Sequence, residues 1–550
     1  MKRLTVTVLA LLAAIVSVGA QGLDTLPEPY ENRELPRTQT ISYASEDASI
    51  AGPRAESSYF QPLAEGWSRG ESRASEYVSF TNKFKRPFAW ADRQIFVYIG
   101  STTNAYEVWV NGEKAGSNLS AATAAEFDVT KYAKENVMND LEIRVSRDPV
   151  GWIGKGAGIN DVPAITGDVY VLSQPRLRVR DYVADVSFTG SEATVQLGII
   201  LKSHLLNPKN FRVFYKLLDP KGDAVAEGYK DIELKMRAED TVRFFANVRD
   251  PRPWSPATPD LYKLLVRTQH EGRYPEYVCY ETGLRNVSVS EGMLNVNGAP
   301  VTVSAAEYGQ RLDSEAAQRY LEEIKSQGFN AVKLTGAPQP PYFYAHCDRL
   351  GLYVCDQADI NTSKYGDSRE KGGNPANDPA RVREFTDRAI AMYYTSRNHP
   401  SVVMFSIADD SSNGFNLYES YRALKAVEPS RPIVYMEAAG EWNSDAVDGG
   451  LKRNDPTAAG DRIVLNVGKP AAKASAVVSL TVLEEGYYRV TNGSDEAVQA
   501  GVSYTIKQGK KLLSEGVMPV SLAPGGSESV RIPVPVHKGK KPLVYDVRVR

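Results

Sequence analysis

The sequence has few of the residues that build disulfide frameworks and metal centres. Only three cysteines and five histidines occur among 550 residues. A small, odd number of cysteines argues against a disulfide scaffold, and scattered histidines without ligand spacing argue against a zinc site. We expect Cys279, Cys347 and Cys355 to be buried thiols, with a Cys347–Cys355 disulfide as the lesser alternative.

An excess of charge of one sign is also lacking. Lys and Arg total 65 against 67 Asp and Glu, which gives a net charge of -2. The longest basic cluster is the short stretch around residues 538–541. Without a basic patch we expect no binding to nucleic acid.

Long hydrophobic runs are missing after the first twenty residues. Lys2 and Arg3 precede an apolar run over residues 4–18, and small residues end this stretch at Ala20. This pattern predicts a secretory signal peptide over residues 1–20, too short and wrongly flanked for a membrane span. We therefore expect export to the periplasm or cell surface, without membrane insertion.

What the sequence does contain is β-strand patterning in two successive blocks. Residues 21–56 carry several prolines among polar residues and predict an extended arm. Residues 57–174 alternate with period two, and Asn111-Gly112 in "YEVWVNGEKAG" is a hairpin signal. We interpret this block as a β-sandwich of the jelly-roll type and residues 175–290 as an immunoglobulin-like β-sandwich.

Helices and strands alternate in the next block. "SEAAQRYLEEIKSQG" has helical periodicity, and strands such as "FNAVKL" and "SVVMFSI" alternate with further helices. This pattern predicts a parallel βα array over residues 291–470. Residues 471–550 return to period two and predict a C-terminal β-sandwich. The fold class is therefore multidomain, β and α/β.

Long motifs connect these blocks to a known family. "PWSPATPDLYKL", "FYAHCDRLGLYVCDQADI" and "RNHPSVVMFSIADDSS" occur in an order and spacing similar to glycoside hydrolase family 2, the β-galactosidase and β-glucuronidase family. The resemblance covers nearly all of the chain after the predicted signal peptide. It implies a sugar-binding β-sandwich, an immunoglobulin-like domain and a TIM-type βα barrel with its site at the carboxyl ends of the strands.

The resemblance places a catalytic acid/base at Asp410. Family members end the fourth barrel strand with Trp-Ser-x-Gly-Asn-Glu-Ser, whereas this chain has Phe405-Ser406-Ile407-Ala408-Asp409-Asp410-Ser411. Asp410 is one methylene shorter than Glu, and a displacement of about 1 Å can cost on the order of a hundredfold in rate. Asp409 stands where the family has a sugar-holding Asn. Both aspartates could instead cap the following helix.

Other positions implied by the resemblance are also changed. Asn361 and Ser363 stand where the β-galactosidase branch has Glu and His ligands for magnesium, so we expect no metal and no cofactor. The family nucleophile is a Glu on the seventh strand of a barrel of roughly 250 residues. Only about 170 residues are present here, from about Val301 to the last sandwich. We expect an incomplete barrel with an open sheet edge, and Glu484 and Glu485 are weak nucleophile candidates.

Two functions remain open from the sequence. The favoured hypothesis is a catalytically degenerate member that binds carbohydrate or assembles with a protein partner or with itself. The alternative is a β-glycosidase with an altered site that uses Asp410 as acid/base, which requires a second carboxylate facing Asp410. Candidates for that carboxylate are Asp356, Asp359, Glu437 and Asp445. Candidate binding residues are Asp409, Asp359, Asn361, Glu437 and Trp442.

Overall fold

The chain divides into two compact units, Met1–Lys469 and Pro470–Arg550. The computed structural model describes residues 28–70, 75–147, 153–154, 162–270, 275–290, 292–371, 373–438, 440–448, 462–468, 478–484, 487–492, 497–509, 511–523, 526–533 and 543–549. The predicted signal peptide lies outside these residues. No helix in the described ranges is long and apolar enough to cross a bilayer.

The N-terminal arm crosses the surfaces of three domains of the first unit. Arg37 donates hydrogen bonds to Glu126 of the first sandwich, and Tyr43 pairs through its backbone with Tyr277 of the second. The arm is not extended throughout, because helix α1 (Glu46–Ala51) begins at the N-cap Ser45, whose side chain accepts from the Ala48 amide. A short 3₁₀ turn, Arg54–Glu56, follows.

The first sandwich packs two antiparallel sheets on an apolar core. Asn111 and Gly112 both have positive φ, 51° and 82°, which is the hairpin turn that the sequence predicts. The sheets have the orders β1-β7-β6-β9-β4-β3 and β2-β10-β5-β8. The strands are β1 (Tyr30–Glu31), β2 (Phe60–Pro62), β3 (Ser68–Gly70), β4 (Tyr77–Lys85), β5 (Gln94–Ile99), β6 (Tyr106–Val110), β7 (Glu113–Asn118), β8 (Ala125–Asp128), β9 (Met138–Ser146) and β10 (Val169–Gln174).

The second sandwich also has two antiparallel sheets, with the orders β11-β12-β15 and β14-β13-β16-β17. Alternate residues of its strands fill a single core, as period-two patterning requires. The strands are β11 (Leu177–Thr189), β12 (Glu192–Ser203), β13 (Lys209–Leu218), β14 (Ala224–Leu234), β15 (Glu239–Arg249), β16 (Tyr262–His270) and β17 (Glu276–Thr282).

A small antiparallel sheet leads into the βα region. Its strands are β18 (Val287–Ser290), β19 (Met293–Val296) and β20 (Ala299–Val301). The βα strands are β21 (Ser304–Tyr308), β22 (Ala331–Leu334), β23 (Tyr353–Gln357), β24 (Val402–Ser406), β25 (Ile433–Val434), β26 (Ala446–Asp448) and β27 (Ile463–Val467). The helices are α2 (Ser314–Ser326), α3 (Pro341–Leu350), α4 (Val382–Ser396) and α5 (Phe415–Val427). Short 3₁₀ turns are Ser363–Tyr365, Pro375–Asn377, Pro379–Arg381 and Met436–Ala438.

All neighbouring strands of this sheet are parallel, in the order β25-β24-β23-β22-β21-β27-β26. Seven strands are present in the described ranges, so the prediction of an incomplete TIM-type barrel is confirmed. The two ends of the sheet approach each other, because the Asp445 amide, just before β26, donates to the Ile433 carbonyl of β25 at 2.8 Å. This contact occupies part of the edge that the sequence predicted to be open. Assembly of the chain with itself, which the sequence left open, stays a prediction.

Separate apolar clusters cover the two faces of the curled sheet. The face toward α2, α3, α4 and α5 includes Cys347 of α3, and the inner face, against β18–β20, includes Cys355 of β23. The two cysteines are therefore on opposite sides of the sheet. Both are buried free thiols and Cys279 is a partly buried one, so the disulfide alternative is wrong.

The C-terminal unit is a β-sandwich of two three-stranded sheets with the orders β28-β29-β32 and β31-β30-β33. Gly509 has φ of 63° at the turn between its two longest strands. The strands are β28 (Val478–Glu484), β29 (Tyr487–Asn492), β30 (Val498–Gln508), β31 (Lys511–Leu522), β32 (Ser527–Arg531) and β33 (Leu543–Val549). The weak nucleophile candidate Glu484 ends β28, and Glu485 lies outside the described residues.

Candidate functional site

Three carboxylates and one lysine meet at the carboxyl end of the curled sheet. One oxygen from each of Asp409, Asp410 and Glu437 lies within 4.8 Å of the other two. The Lys333 Nζ lies 3.9 Å from Asp409 Oδ1, and both of these side chains are buried. Asp409 and Asp410 follow β24, Glu437 follows β25 and Lys333 lies within β22, so the parallel sheet itself brings them together. We call this group the carboxylate cluster.

Local backbone geometry sets the two aspartates at different depths. The Asp409 amide donates to the Ile360 carbonyl at 2.9 Å, which continues the pairing beyond the end of β24 and keeps Asp409 buried. Asp410 then turns outward with a positive φ of 41° and is exposed. Asp tolerates this left-handed conformation better than most residues. The capping alternative is wrong, since Gly414 is the N-cap of α5 and the first helical amide, Phe415 N–H, donates to Asn377 Oδ1.

Glu437 is the carboxylate that faces Asp410. It sits in the 3₁₀ turn after β25 and is partly buried. Burial raises its pKa to about 7, the charges of Asp409 and Asp410 add to the shift, and Lys333 opposes it. A large share of Glu437 is therefore protonated near neutral pH, while its ordinary pKa is 4.5.

Two of the predicted binding residues, Asp359 and Asn361, have structural roles. Asp359 is fully buried and pairs at 2.8 Å with Arg388 of α4, which is also buried. Gly154, from a loop of the first sandwich, packs directly on the Asp359 carboxylate and leaves no room for a side chain. Asn361 Oδ1 accepts from both the amide and the hydroxyl of Ser363, at 3.1 and 2.7 Å.

The remaining carboxylate candidates also bond elsewhere. Asp356 accepts from the Tyr344 hydroxyl at 2.8 Å, and burial raises its pKa to about 6. Asp445 pairs with Lys425 at 2.5 Å and accepts from the Tyr421 hydroxyl at 2.7 Å. Of the four candidates, Glu437 is the one that the structure groups with Asp410.

Trp442 is an exposed aromatic residue in the loop after Glu437. Its indole is 54% exposed and stacks on the Tyr418 ring of α5, with 5.2 Å between centroids and 19° between planes. Tyr421 packs edge-on against the same indole. An indole held in this way is a suitable stacking platform for the apolar face of a sugar ring.

Sequence reasoning missed Lys333. The signal was present, because a lysine interrupts the buried strand "NAVKL" two residues after Ala331, and alternate residues of a strand point to the same face. A lysine on the inner face of a barrel strand needs a counter-ion, since a lone buried charge is costly. That requirement points to the aspartates after β24.

The magnesium ion that the resemblance implies does not fit the residues found at its position. Asn361 and Ser363 hydrogen-bond to each other, and a neutral amide and a hydroxyl are poor substitutes for a carboxylate and an imidazole. The three carboxylates of the cluster are a separate group, and Lys333 already supplies them with one positive charge. The expected lack of a metal stays a prediction.

Two family models match consecutive parts of the chain. "Glycosyl hydrolases family 2" matches residues 177–285, and "Glycosyl hydrolases family 2, TIM barrel domain" matches residues 287–452. Together they cover half of the chain.

Curated relatives agree over part of their length. A β-galactosidase of Photobacterium profundum is 29% identical over 377 residues, which is 64% of this chain and 35% of that relative. The chain thus matches about a third of the length of the relative.

Solved structures show the same fold at lower identity. A β-D-glucuronidase of Dictyoglomus thermophilum superposes with a TM-score of 0.60 at 19% identity, covering 72% of this chain and 76% of that one. A glycosyl hydrolase family 2 member of Bacteroides cellulosilyticus gives 0.61 at 15% identity, covering 86% and 84%. With two consecutive domain models, the sequence relatives and this shared fold in agreement, the chain belongs to glycoside hydrolase family 2.

Proposed function

We propose that this protein binds carbohydrate at the carboxyl end of its shortened barrel and does not hydrolyse β-glycosides in the manner of its family. The observation that carries this proposal is that side chains around Asp410 are engaged in contacts within the protein. Asp359 is held in a buried ion pair with Arg388, and Asn361 Oδ1 accepts two hydrogen bonds from Ser363. When catalytic groups act as a unit, the loss of one of them removes most of the rate enhancement that the others provide. The carboxylate cluster and the exposed Trp442 remain available for a ligand.

A second candidate function is favoured by one distance. One oxygen of Asp410 lies within 4.8 Å of one oxygen of Glu437, which is compatible with the roughly 5 Å that separates the carboxyl groups of a retaining glycosidase. Glu437, with a pKa of about 7, would serve as the general acid, and Asp410 as the nucleophile. This assignment reverses the role that the resemblance gives to Asp410.

One set of measurements separates the two functions. The purified chain is assayed against nitrophenyl β-galactoside and β-glucuronide, and in parallel on a glycan array. We expect binding without hydrolysis, and weaker binding in Trp442→Ala. Glu315→Gln, on exposed helix α2, is the matched control. Hydrolysis that is lost in both Asp410→Asn and Glu437→Gln, but kept in Glu315→Gln, would establish the glycosidase instead.

We also propose that the protein is exported. The support is the pattern of residues 1–20, with two basic residues, an apolar run and a small residue at the expected cleavage site. N-terminal sequencing of protein from a periplasmic or surface fraction should begin at Gln21. An intact N-terminus in the cytoplasmic fraction alone would contradict this proposal.

A further inference from the structure

Several buried oxygen atoms at the carboxyl end of the barrel have no hydrogen-bond partner in the described part of the chain, and two of them lie at the end of β23 and just after β25. These two are Gln357 Oε1 and Glu437 Oε2. Gln357 is fully buried, and its side-chain amide nitrogen donates to the Ala358 carbonyl at 3.0 Å. Buried polar atoms are rarely left unpaired, because an unpaired group loses its hydration without compensation. Gln357 Oε1 can only accept, and Glu437 Oε2 accepts whenever its carboxyl group, with a pKa of about 7, is ionised, so a ligand that satisfies both atoms donates hydrogen.

Strand alternation directs Gln357 toward the inside of the curled sheet. Tyr353 and Cys355 of β23 belong to the inner apolar cluster, and Gln357 is the next residue on that face. Cys355 is paired in register with Lys333 of β22. Gln357 is two residues beyond Cys355 toward the carboxyl end of β23. It therefore lies on the same inner face of the sheet as Lys333.

Two aspartates face one lysine at these acceptors, and Glu437 adds a further negative charge when it is ionised. Asp409, Asp410 and Glu437 contribute three acidic groups within 4.8 Å, and Lys333 is the basic residue that the structure pairs with them. A neutral sugar supplies hydroxyl donors but no charge. A uronate would add a further negative charge and be repelled, whereas an ammonium group supplies three donors together with a positive charge.

We infer that the carboxylate cluster recognises a sugar that carries a free amino group, with the ammonium placed against Asp410 and Glu437 and within reach of Gln357. This inference rests on the proposed carbohydrate binding and names the ligand class for the same site. The N-acetylated form of such a sugar has lost the charge and two of the three donors. It should bind more weakly although its ring and hydroxyl groups are the same.

The test compares glucosamine oligomers with N-acetylglucosamine oligomers of equal length by titration calorimetry on the full chain. Because a hydrogen bond to a charged group is worth roughly 1.5–3 kcal/mol, we expect the free amine to bind about tenfold or more tightly. High salt should reduce this preference. Asp410→Asn and Glu437→Gln should each reduce the preference for the free amine, and Lys333→Met should increase it. Glu315→Gln should leave the preference unchanged. Circular dichroism checks that each variant is folded.

The possible outcomes separate amine recognition from the carbohydrate binding on which it depends. Equal binding of both oligomers, or a preference that survives in Asp410→Asn and Glu437→Gln, would overturn amine recognition and leave carbohydrate binding intact. Failure of the chain to bind any glycan on the array would overturn both.

Discussion

Asp410 and Glu437 face each other at the carboxyl end of the curled sheet, with carboxylate oxygens within 4.8 Å. They follow two neighbouring strands, β24 and β25. A second carboxylate beside the acid/base position is the feature that a glycosidase needs. Here it comes with a third carboxylate, Asp409, and with neighbouring groups that bond to one another.

Restoring the length of the acid should not restore hydrolysis. Asp410→Glu adds the missing methylene, but Asp359 and Asn361 remain committed to Arg388 and Ser363. We expect hydrolysis of nitrophenyl β-galactoside by Asp410→Glu to stay at background, measured by nitrophenolate release over many hours. A rate clearly above that of a no-enzyme control would show that the residues around Asp410 are still competent.

Glu437 should make stability depend on pH. Its pKa of about 7 in the folded chain lies above its ordinary value of 4.5, so folding favours the protonated form. The stability that this group contributes is fully present below about pH 4.5 and is lost as pH rises through about 7. Glu437→Gln removes this loss, on the order of 1 kcal/mol once solvent screening of a partly exposed group is allowed for.

The measurement is the melting temperature of Glu437→Gln minus that of the unmodified chain at pH 5 and at pH 8. We expect this difference to be more positive at pH 8. The same difference for Glu315→Gln, on exposed α2, serves as the reference for a surface glutamate. A difference for Glu437→Gln that is constant with pH, or more negative at pH 8, would be inconsistent with a buried, protonated Glu437.

The buried pair of Asp359 and Arg388 should be critical for folding. Arg388→Met leaves the buried Asp359 carboxylate without its partner, which costs about 3–5 kcal/mol in the free energy of unfolding. Asp359→Asn combined with Arg388→Met should cost less than the sum of the two single changes. Urea denaturation measures all three variants.

An exposed pair supplies the control for this cycle. Arg319 and Glu315 lie 2.8 Å apart on α2 with both side chains largely exposed. Arg319→Met should cost less than about 1 kcal/mol, because surface ion pairs contribute little. Similar costs for Arg388→Met and Arg319→Met would mean that the Asp359 site is not sealed from water.

Magnesium should not stabilise the protein. Asn361 and Ser363 bond to each other, and Lys333 competes with a cation for Asp409. We expect a few millimolar magnesium to leave the melting temperature unchanged within about 1 °C, because a ligand stabilises only what it binds. A concentration-dependent rise that Asp410→Asn abolishes would instead identify the carboxylate cluster as a metal site.

The fold was largely predictable from the sequence because its signals are local. Period-two alternation, helical periodicity and turn pairs such as Asn111-Gly112 depend on residues close in the chain. The helix predicted from "SEAAQRYLEEIKSQG" is α2, Ser314–Ser326, and its buried residues Ala317, Leu321 and Ile324 share one face, as helical periodicity requires. Helix α4 begins at Val382, because Pro379 first forms a 3₁₀ turn.

The candidate site was predictable only in part. The sequence by itself determined the order of the domains, the family resemblance and the identity of the carboxylates at the end of β24. The tertiary structure decided which carboxylate faces Asp410, that Asp359 is sealed by Arg388 and Gly154, and that Lys333 reaches Asp409. These contacts join residues that are far apart in the chain. Their distances are set by the curl of the sheet, which has seven strands in the described ranges, and by a loop of another domain. Neither the curl nor the position of that loop leaves a local pattern in the sequence.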